Sequence, residues 1–373
     1  MRSRHLTFPL NSNRDKESTM ETMRRIISLR KELGERVIIP AHHYQKKEIT
    51  DIADFIGDSY RLAVDVSTSN AEYILFCGVH FMAEGAAVLA KAHQKVVMPN
   101  LKAGCPMADM ITYAQAEQTL ENIRNKSSRE IIPVVYMNAH ARLKAFCGQH
   151  EGSVCTSSNA RKILEYYLSQ DKGVLFFPDQ HLGRNTAMDI GLSQDDISLI
   201  DKESLVPMGN QQAKVFLWDG SCPIHQEFNV RQIETLRRKY PGITVIVHPE
   251  VNSATALAAD MKGSTEYIYN VVSKSPPGSV WAIGTEYNFV SRLAYEYTSQ
   301  GKTILPLETS ICTDMSMTTP ELLLETLEQI RDGNIKNKLV TVDQKIREDA
   351  KKALQQMIAI VEGGTLHGNR GNL

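Results

Sequence analysis

No stretch of the 373-residue sequence stays apolar for the roughly 18 residues that a membrane-spanning helix needs. The first twenty residues carry Arg2 and Arg4 but no apolar core like that of a secretory leader, so 1–20 reads as a polar arm. Neither sign of charge is in excess. The formal net charge is −1, and no basic face is offered to nucleic acid or to an anionic membrane. Cysteine is sparse, with six in the chain. In a chain of this length without a leader, that points away from a disulfide framework. It points instead to free thiols in a reducing cytoplasm, where thiols bind metal more often than they pair. No long linker and no low-complexity tract interrupts the chain.

What is present is an alternation. Short apolar runs such as Tyr73-Ile74-Leu75-Phe76, Lys95-Val96-Val97-Met98-Pro99, Gly173-Val174-Leu175-Phe176-Phe177 and Val215-Phe216-Leu217-Trp218 lack a period of two, as strands buried on both faces of a parallel sheet do. Helical patterns at 82–92, 160–168, 230–239 and 290–299 lie between such runs, which makes the class α/β. A first helix is expected from Ser18, as its cap, to Leu33. Two more are expected within 320–360, around a strand-like run at 339–342.

The alternation repeats three times. Apolar runs end in His42-His43-Tyr44, in Tyr136-Met137-Asn138 and in His248-Pro249-Glu250, and a hydroxyl residue follows each before a helical stretch: Ser59, Ser157 and Thr265. A second run then ends near Cys77, at Asp179 or at Glu286, and one cysteine beside small or polar residues comes after it: Cys105, Cys222 and Cys312. In open parallel sheets ligands sit at the carboxyl ends of strands, where these polar residues fall. Helix N-termini at Ser59, Ser157 and Thr265 suit anions, although each could equally be an ordinary cap. Three related units supplying one thiol each imply a shared metal site. Three thiolates fit a [4Fe–4S] cluster with one iron left open, and a zinc site completed by His225 is the competitor. Cys77 reads as core. Cys147 and Cys155 read as two thiols in one loop, open to a reversible disulfide. His43, His80, His181 and His225 read as structural. His5, His93, His140, His150 and His367 read as surface residues.

Between about Glu35 and Leu322 the sequence resembles the quinolinate synthase family. The residues that carry the resemblance are Ala41-His42-His43-Tyr44-Gln45, Ala53-Asp54-Phe55-Ile56-Gly57-Asp58-Ser59, Gly78-Val79-His80-Phe81-Met82-Ala83-Glu84, Ala103-Gly104-Cys105, Tyr136-Met137-Asn138, Cys155-Thr156-Ser157-Ser158-Asn159-Ala160, His248-Pro249-Glu250, Gly263-Ser264-Thr265 and Gly284-Thr285-Glu286. The resemblance implies three pseudo-threefold-related three-layer α/β domains around a central [4Fe–4S] cluster held by Cys105, Cys222 and Cys312. The expected units are 21–110, 111–225 and 226–320, with 321–373 packing back on the body. The implied reaction condenses iminosuccinate with dihydroxyacetone phosphate, releases phosphate and water, and yields quinolinate for NAD. Substrate contacts carry over to His42, Ser59, Tyr136, Asn138, Ser157, His248, Glu250 and Thr265. His42, Tyr44, His248 and Glu250 form the catalytic set. Tyr44 and Glu250 are expected to move protons with the help of burial that brings them toward working pH. The stretches 147–152 and 193–212 look extra relative to shorter members. A transient contact with L-aspartate oxidase as the imine source, and a homodimer, are the partners this implies. The rival readings are an aconitase-like [4Fe–4S] dehydratase and an iron–sulfur sensor protein.

Overall fold

The chain builds three parallel sheets with one strand order. The computed structural model describes residues 13–363, and side chains from Ser18 onward; most of the expected arm and tail, with His5 and His367, lies outside them. The first helix spans Asn13–Leu33. Ser18 therefore sits inside it and does not cap it, because the charged residues 14–17 extend the helix ahead of the apolar stripe. That stripe buries Ile26, Leu29 and Leu33.

In the second sheet the order is Ser153–Cys155, Ile131–Tyr136, Gly173–Phe177, Val215–Trp218. In the third it is Met261–Lys262, Thr244–Val247, Val280–Gly284, Thr303–Pro306. The first sheet follows the same plan with one break. Phe55–Gly57 pairs with Pro40–His42, while Val37–Ile38 pairs with Tyr73–Leu75 and that strand with Lys95–Val97. The run from Val37 to His42 is interrupted at Ile39, yet Ala41 still bridges Cys77, so the strand order is preserved. All of these pairings are parallel, and the central strands such as Tyr73–Leu75, Ile131–Tyr136, Gly173–Phe177 and Val215–Trp218 are buried on both faces, as their unbroken apolar runs require, while Phe55–Gly57, Met261–Lys262 and Thr303–Pro306 are partly exposed.

Two edges carry additions. Ile197–Ile200 joins Val215–Trp218 in parallel, so the stretch 193–212 supplies an edge strand that its mixed composition had hidden. Leu339–Val340 pairs antiparallel with Lys95–Val97. The last two helices, Pro320–Arg331 and Gln344–Glu362, pack back on the first helix and on Ala141–Gln149 respectively. No helix among the described residues is long and apolar enough to cross a membrane.

Candidate active site

Each sheet presents the same three positions at its carboxyl edge. His42 lies opposite Gly57, and Ser59 follows two residues later. Tyr136 lies opposite Cys155, and Ser157 follows two residues later. In the third sheet Val247 pairs with Lys262, which brings His248 level with Gly263 and Thr265 two residues on. Tyr44, Asn138 and Glu250 each come two residues after the strand-end side chain. One cavity is lined by all nine of these residues together with Cys105, Cys222 and Cys312. Its lining contains neither Lys nor Arg. Any negative charge held there is met by helix N-termini and imidazoles.

The hydroxyl residues are not the caps. Asp58 caps helix Ser59–Thr68 by accepting the Arg61 N–H, and Ser264 caps Thr265–Lys274 by accepting the Tyr267 N–H. Ser157 stands in the turn before Ala160–Leu168, whose capping position is Asn159. The hydroxyls of Ser59, Ser157 and Thr265 make no hydrogen bond among the described residues, so they remain free to bind at the positive ends of three helices.

Protonation is set by burial and close neighbours. The Tyr44 backbone N–H donates to His42 Nδ1 at 3.2 Å, which fixes the ring proton on Nε2. Tyr44 Oη lies 2.6 Å from Thr285 Oγ1 and 3.4 Å from His225 Nε2. Burial, then the Glu250 charge, raises the Tyr44 phenol well above its usual range. Glu250 Oε2 lies 2.6 Å from His225 Nδ1 and 3.2 Å from His248 Nδ1, close in distance but off the angle of a hydrogen bond. Burial opposes its ionisation, and the two imidazoles outweigh burial, leaving the carboxyl low. Those rings stack 4.5 Å apart. Tyr44 and Glu250 thus move away from working pH in opposite directions, against the expectation that burial would bring both toward it. Tyr44 stays a neutral donor and Glu250 stays an ionised acceptor. Asn138 Oδ1 and Glu250 Oε1 are buried without a protein partner, polar atoms on the cavity wall that a ligand can satisfy.

The three thiols stand on equivalent loops. Burial pushes Cys105 up to about 12 and Cys312 up to about 11, and raises Cys222 well above its usual value. Without a cation all three are neutral, and a metal centre reverses this by ionising its thiol ligands outright. Among the described residues, ligand atoms gather within 4.8 Å of one another in two groups, Cys222–His225–Glu250 and His80–Glu84–His140. The three Sγ atoms form no such group. One zinc with three thiolates at about 2.3 Å needs the sulfurs closer together, whereas a cluster takes each thiolate on a different iron.

The sequence matches the family model described as Quinolinate synthetase A protein over residues 24–359. The chain belongs to this family. It is 43% identical over 347 residues to the quinolinate synthase of Bacillus subtilis (strain 168), covering 91% of this chain and 93% of the relative. It is 41% identical over 352 residues to that of Streptomyces coelicolor, covering 92% and 89%, and 41% identical over 344 residues to that of Acidobacterium capsulatum, covering 90% and 92%.

Family resemblance pointed to the twelve cavity residues, and it missed the side chains behind them. Thr285 bonds both Tyr44 and His225, and the carboxyl groups of Asp179 and Glu286 accept the N–H groups of Cys222 and Cys312. All three end strands of the same repeat, which was the available signal. His43 faces away from the cavity, between Glu266 at 3.1 Å and Arg292 at 2.9 Å, and Cys77 is core. Cys147 and Cys155 are not in a loop. Cys147 is in helix Ala141–Gln149 and Cys155 in strand Ser153–Cys155, and both are fully buried. His140 is not a plain surface residue. Its Nε2 is 2.7 Å from Asp109 and its Nδ1 3.4 Å from Glu84, so a proton on the ring satisfies both carboxylates.

Proposed function

We propose that the protein condenses iminosuccinate with dihydroxyacetone phosphate to quinolinate, releasing phosphate and water. The observation that carries this reading is the convergence of three thiols and three helix starts, with free hydroxyls at each, on one cavity without Lys or Arg. Two carboxylates and one phosphate match three anion-binding helix starts in number. Cys105, Cys222 and Cys312 would hold a [4Fe–4S] cluster. When bound, such a cluster supplies Lewis acidity at its open iron to assist departure of a hydroxyl group.

The chain's own residues do the rest. Ser59, Ser157 and Thr265 bind the anionic ends beside backbone N–H groups. Ionised Glu250 takes a proton from the substrate, with its charge supported by His225 and His248, whose Nδ1 atoms lie 2.6 and 3.2 Å from Oε2. The neutral Tyr44 phenol donates to developing negative charge, with Thr285 holding its oxygen. His42 presents Nε2–H, Asn138 offers its amide, and Tyr136 closes the wall. The imine is hydrolysed by water, which favours its transfer through a transient contact with L-aspartate oxidase.

A second reading places one zinc ion on Cys222, His225 and Glu250, the compact ligand group. Anaerobic purification followed by iron, sulfide and zinc analysis, Mössbauer spectroscopy and an assay with both substrates separates the two. A four-iron spectrum with quinolinate formation is expected. Stoichiometric zinc without sulfide would end the cluster reading.

A further inference from the structure

The loops that carry the cysteines are pinned by one repeated bond. The N–H of the residue that starts a helix donates to the carbonyl two residues before each cysteine. His80 donates to Ala103 O at 2.7 Å, Gln180 to Gly220 O at 2.9 Å and Tyr287 to Ser310 O at 2.8 Å. Cys105, Cys222 and Cys312 follow these carbonyls at equal spacing. The residue just before each donor is the helix's capping residue, and there the three units differ.

In the second unit Asp179 caps helix Gln180–Asp189 through Oδ1, which accepts the Leu182 N–H at 2.6 Å, while its Oδ2 accepts the Cys222 N–H at 3.2 Å. In the third, Glu286 caps Tyr287–Tyr297 through Oε2, accepting the Phe289 N–H at 3.2 Å, while Oε1 accepts the Cys312 N–H at 3.3 Å. Both carboxyl groups are fully buried. In the first unit the capping position is Val79, which has no side-chain acceptor. The nearest equivalent comes from another loop: Asp314 Oδ1, two residues past Cys312, accepts the Gly104 N–H at 3.1 Å.

We infer that Asp179 and Glu286 are positioning residues for the metal-binding thiols Cys222 and Cys312, each tying a cysteine amide to the start of a rigid helix. The inference rests on the proposed metal role of the three cysteines. A cap alone needs one carboxylate oxygen. Here the second oxygen of each carboxyl group reaches across to the cysteine loop, and partners of this kind set ligand orientation in metal sites. The geometry also makes the three thiols unequal. Cys222 and Cys312 are each held by their own unit, whereas the loop of Cys105 leans on the loop of Cys312.

The test uses Asp179→Asn and Glu286→Gln, which keep size but offer one acceptor and turn a donor toward the other N–H. Asp343→Asn is the control, because Asp343 caps Gln344–Glu362 by accepting the Lys345 and Ile346 N–H groups and bonds no cysteine N–H. In anaerobically purified protein, iron loss to a chelator should speed up about tenfold to a hundredfold in the two site variants and stay at the wild-type rate in the control. In metal-free protein, iodoacetamide labelling located by mass spectrometry should accelerate at Cys222 alone in Asp179→Asn and at Cys312 alone in Glu286→Gln. Wild-type iron retention together with wild-type labelling in both variants would overturn the inference. A wild-type protein that binds no iron would instead defeat the cluster reading, and the labelling pattern would still decide the positioning role.

Discussion

Glu250 shows most clearly how burial and neighbours decide chemistry at the scale of one residue. Its carboxylate is almost fully buried yet held ionised by two imidazoles. Glu250→Gln keeps the shape and removes the acceptor. Turnover should fall about a hundredfold or more, the range for lost acid–base help, with metal content and quinolinate binding retained. Steady-state kinetics beside iron analysis checks this, and near-normal turnover would remove Glu250 from proton transfer. Sequence alone made the first layer legible, because a polar residue ending an apolar run is visible in one dimension. The second layer was not. Thr285 matters only because the fold brings it within 2.6 Å of Tyr44, and no spacing in the chain encodes that contact. The direction of the Tyr44 and Glu250 shifts was equally hidden, since it depends on which charges face which buried group.

At the scale of elements, the hydroxyl residues and the caps prove to be separate neighbours. The chain signals a helix start near Ser59 and Thr265, but which of two adjacent polar residues caps depends on backbone angles, and Asp58 and Ser264 take that position. This sharpens a test. Ser59→Ala and Thr265→Ala should leave the melting temperature nearly unchanged. Each should weaken quinolinate binding about tenfold to a hundredfold, the loss of one hydrogen bond to a charged group worth roughly 1.5–3 kcal/mol. Asp58→Ala should cost about 1 kcal/mol of stability as a lost cap. Calorimetry and ligand titration on the three variants separate the roles, and unchanged affinity in Ser59→Ala and Thr265→Ala would move the anions elsewhere. Helix contact sets a second element-scale test. A Cβ on Gly148 would stand 1.9 Å from the Asp349 carbonyl oxygen of helix Gln344–Glu362. Gly148→Ala must push that helix off, so it should destabilise by about 1–3 kcal/mol, as overpacking does, measured by urea denaturation. The glycine stands in a stretch that looked like an insertion, and only the returning C-terminal helix explains it.

Across the whole molecule, repetition made the architecture readable, since three copies of one strand order leave three copies of one pattern in sequence. What repetition cannot encode is the joining of the copies, because those contacts occur once each. His140 is such a contact. It opens helix Ala141–Gln149 of the second unit and meets Glu84 on helix His80–Leu89 of the first and Asp109 after Cys105. Glu84 also accepts the Ala141 N–H at 3.0 Å and feels the buried ammonium of Lys144. The hydrogen bond to Glu84, offset by burial and supported by Asp109, raises His140 to about 9. An unfolded histidine titrates near 6.5. A group raised on folding stabilises fully below its unfolded value and loses that contribution as pH rises through its folded value. Stability from this junction should therefore be complete below about pH 6.5 and decline up to about 9. Because the ring is half exposed, the effect is screened by salt. His140→Ala should flatten the dependence of melting temperature on pH across that window at low ionic strength, and it should leave the iron content of anaerobically purified protein unchanged. A wild-type slope that persists in His140→Ala would assign the pH dependence to other groups and leave this junction as packing without charge.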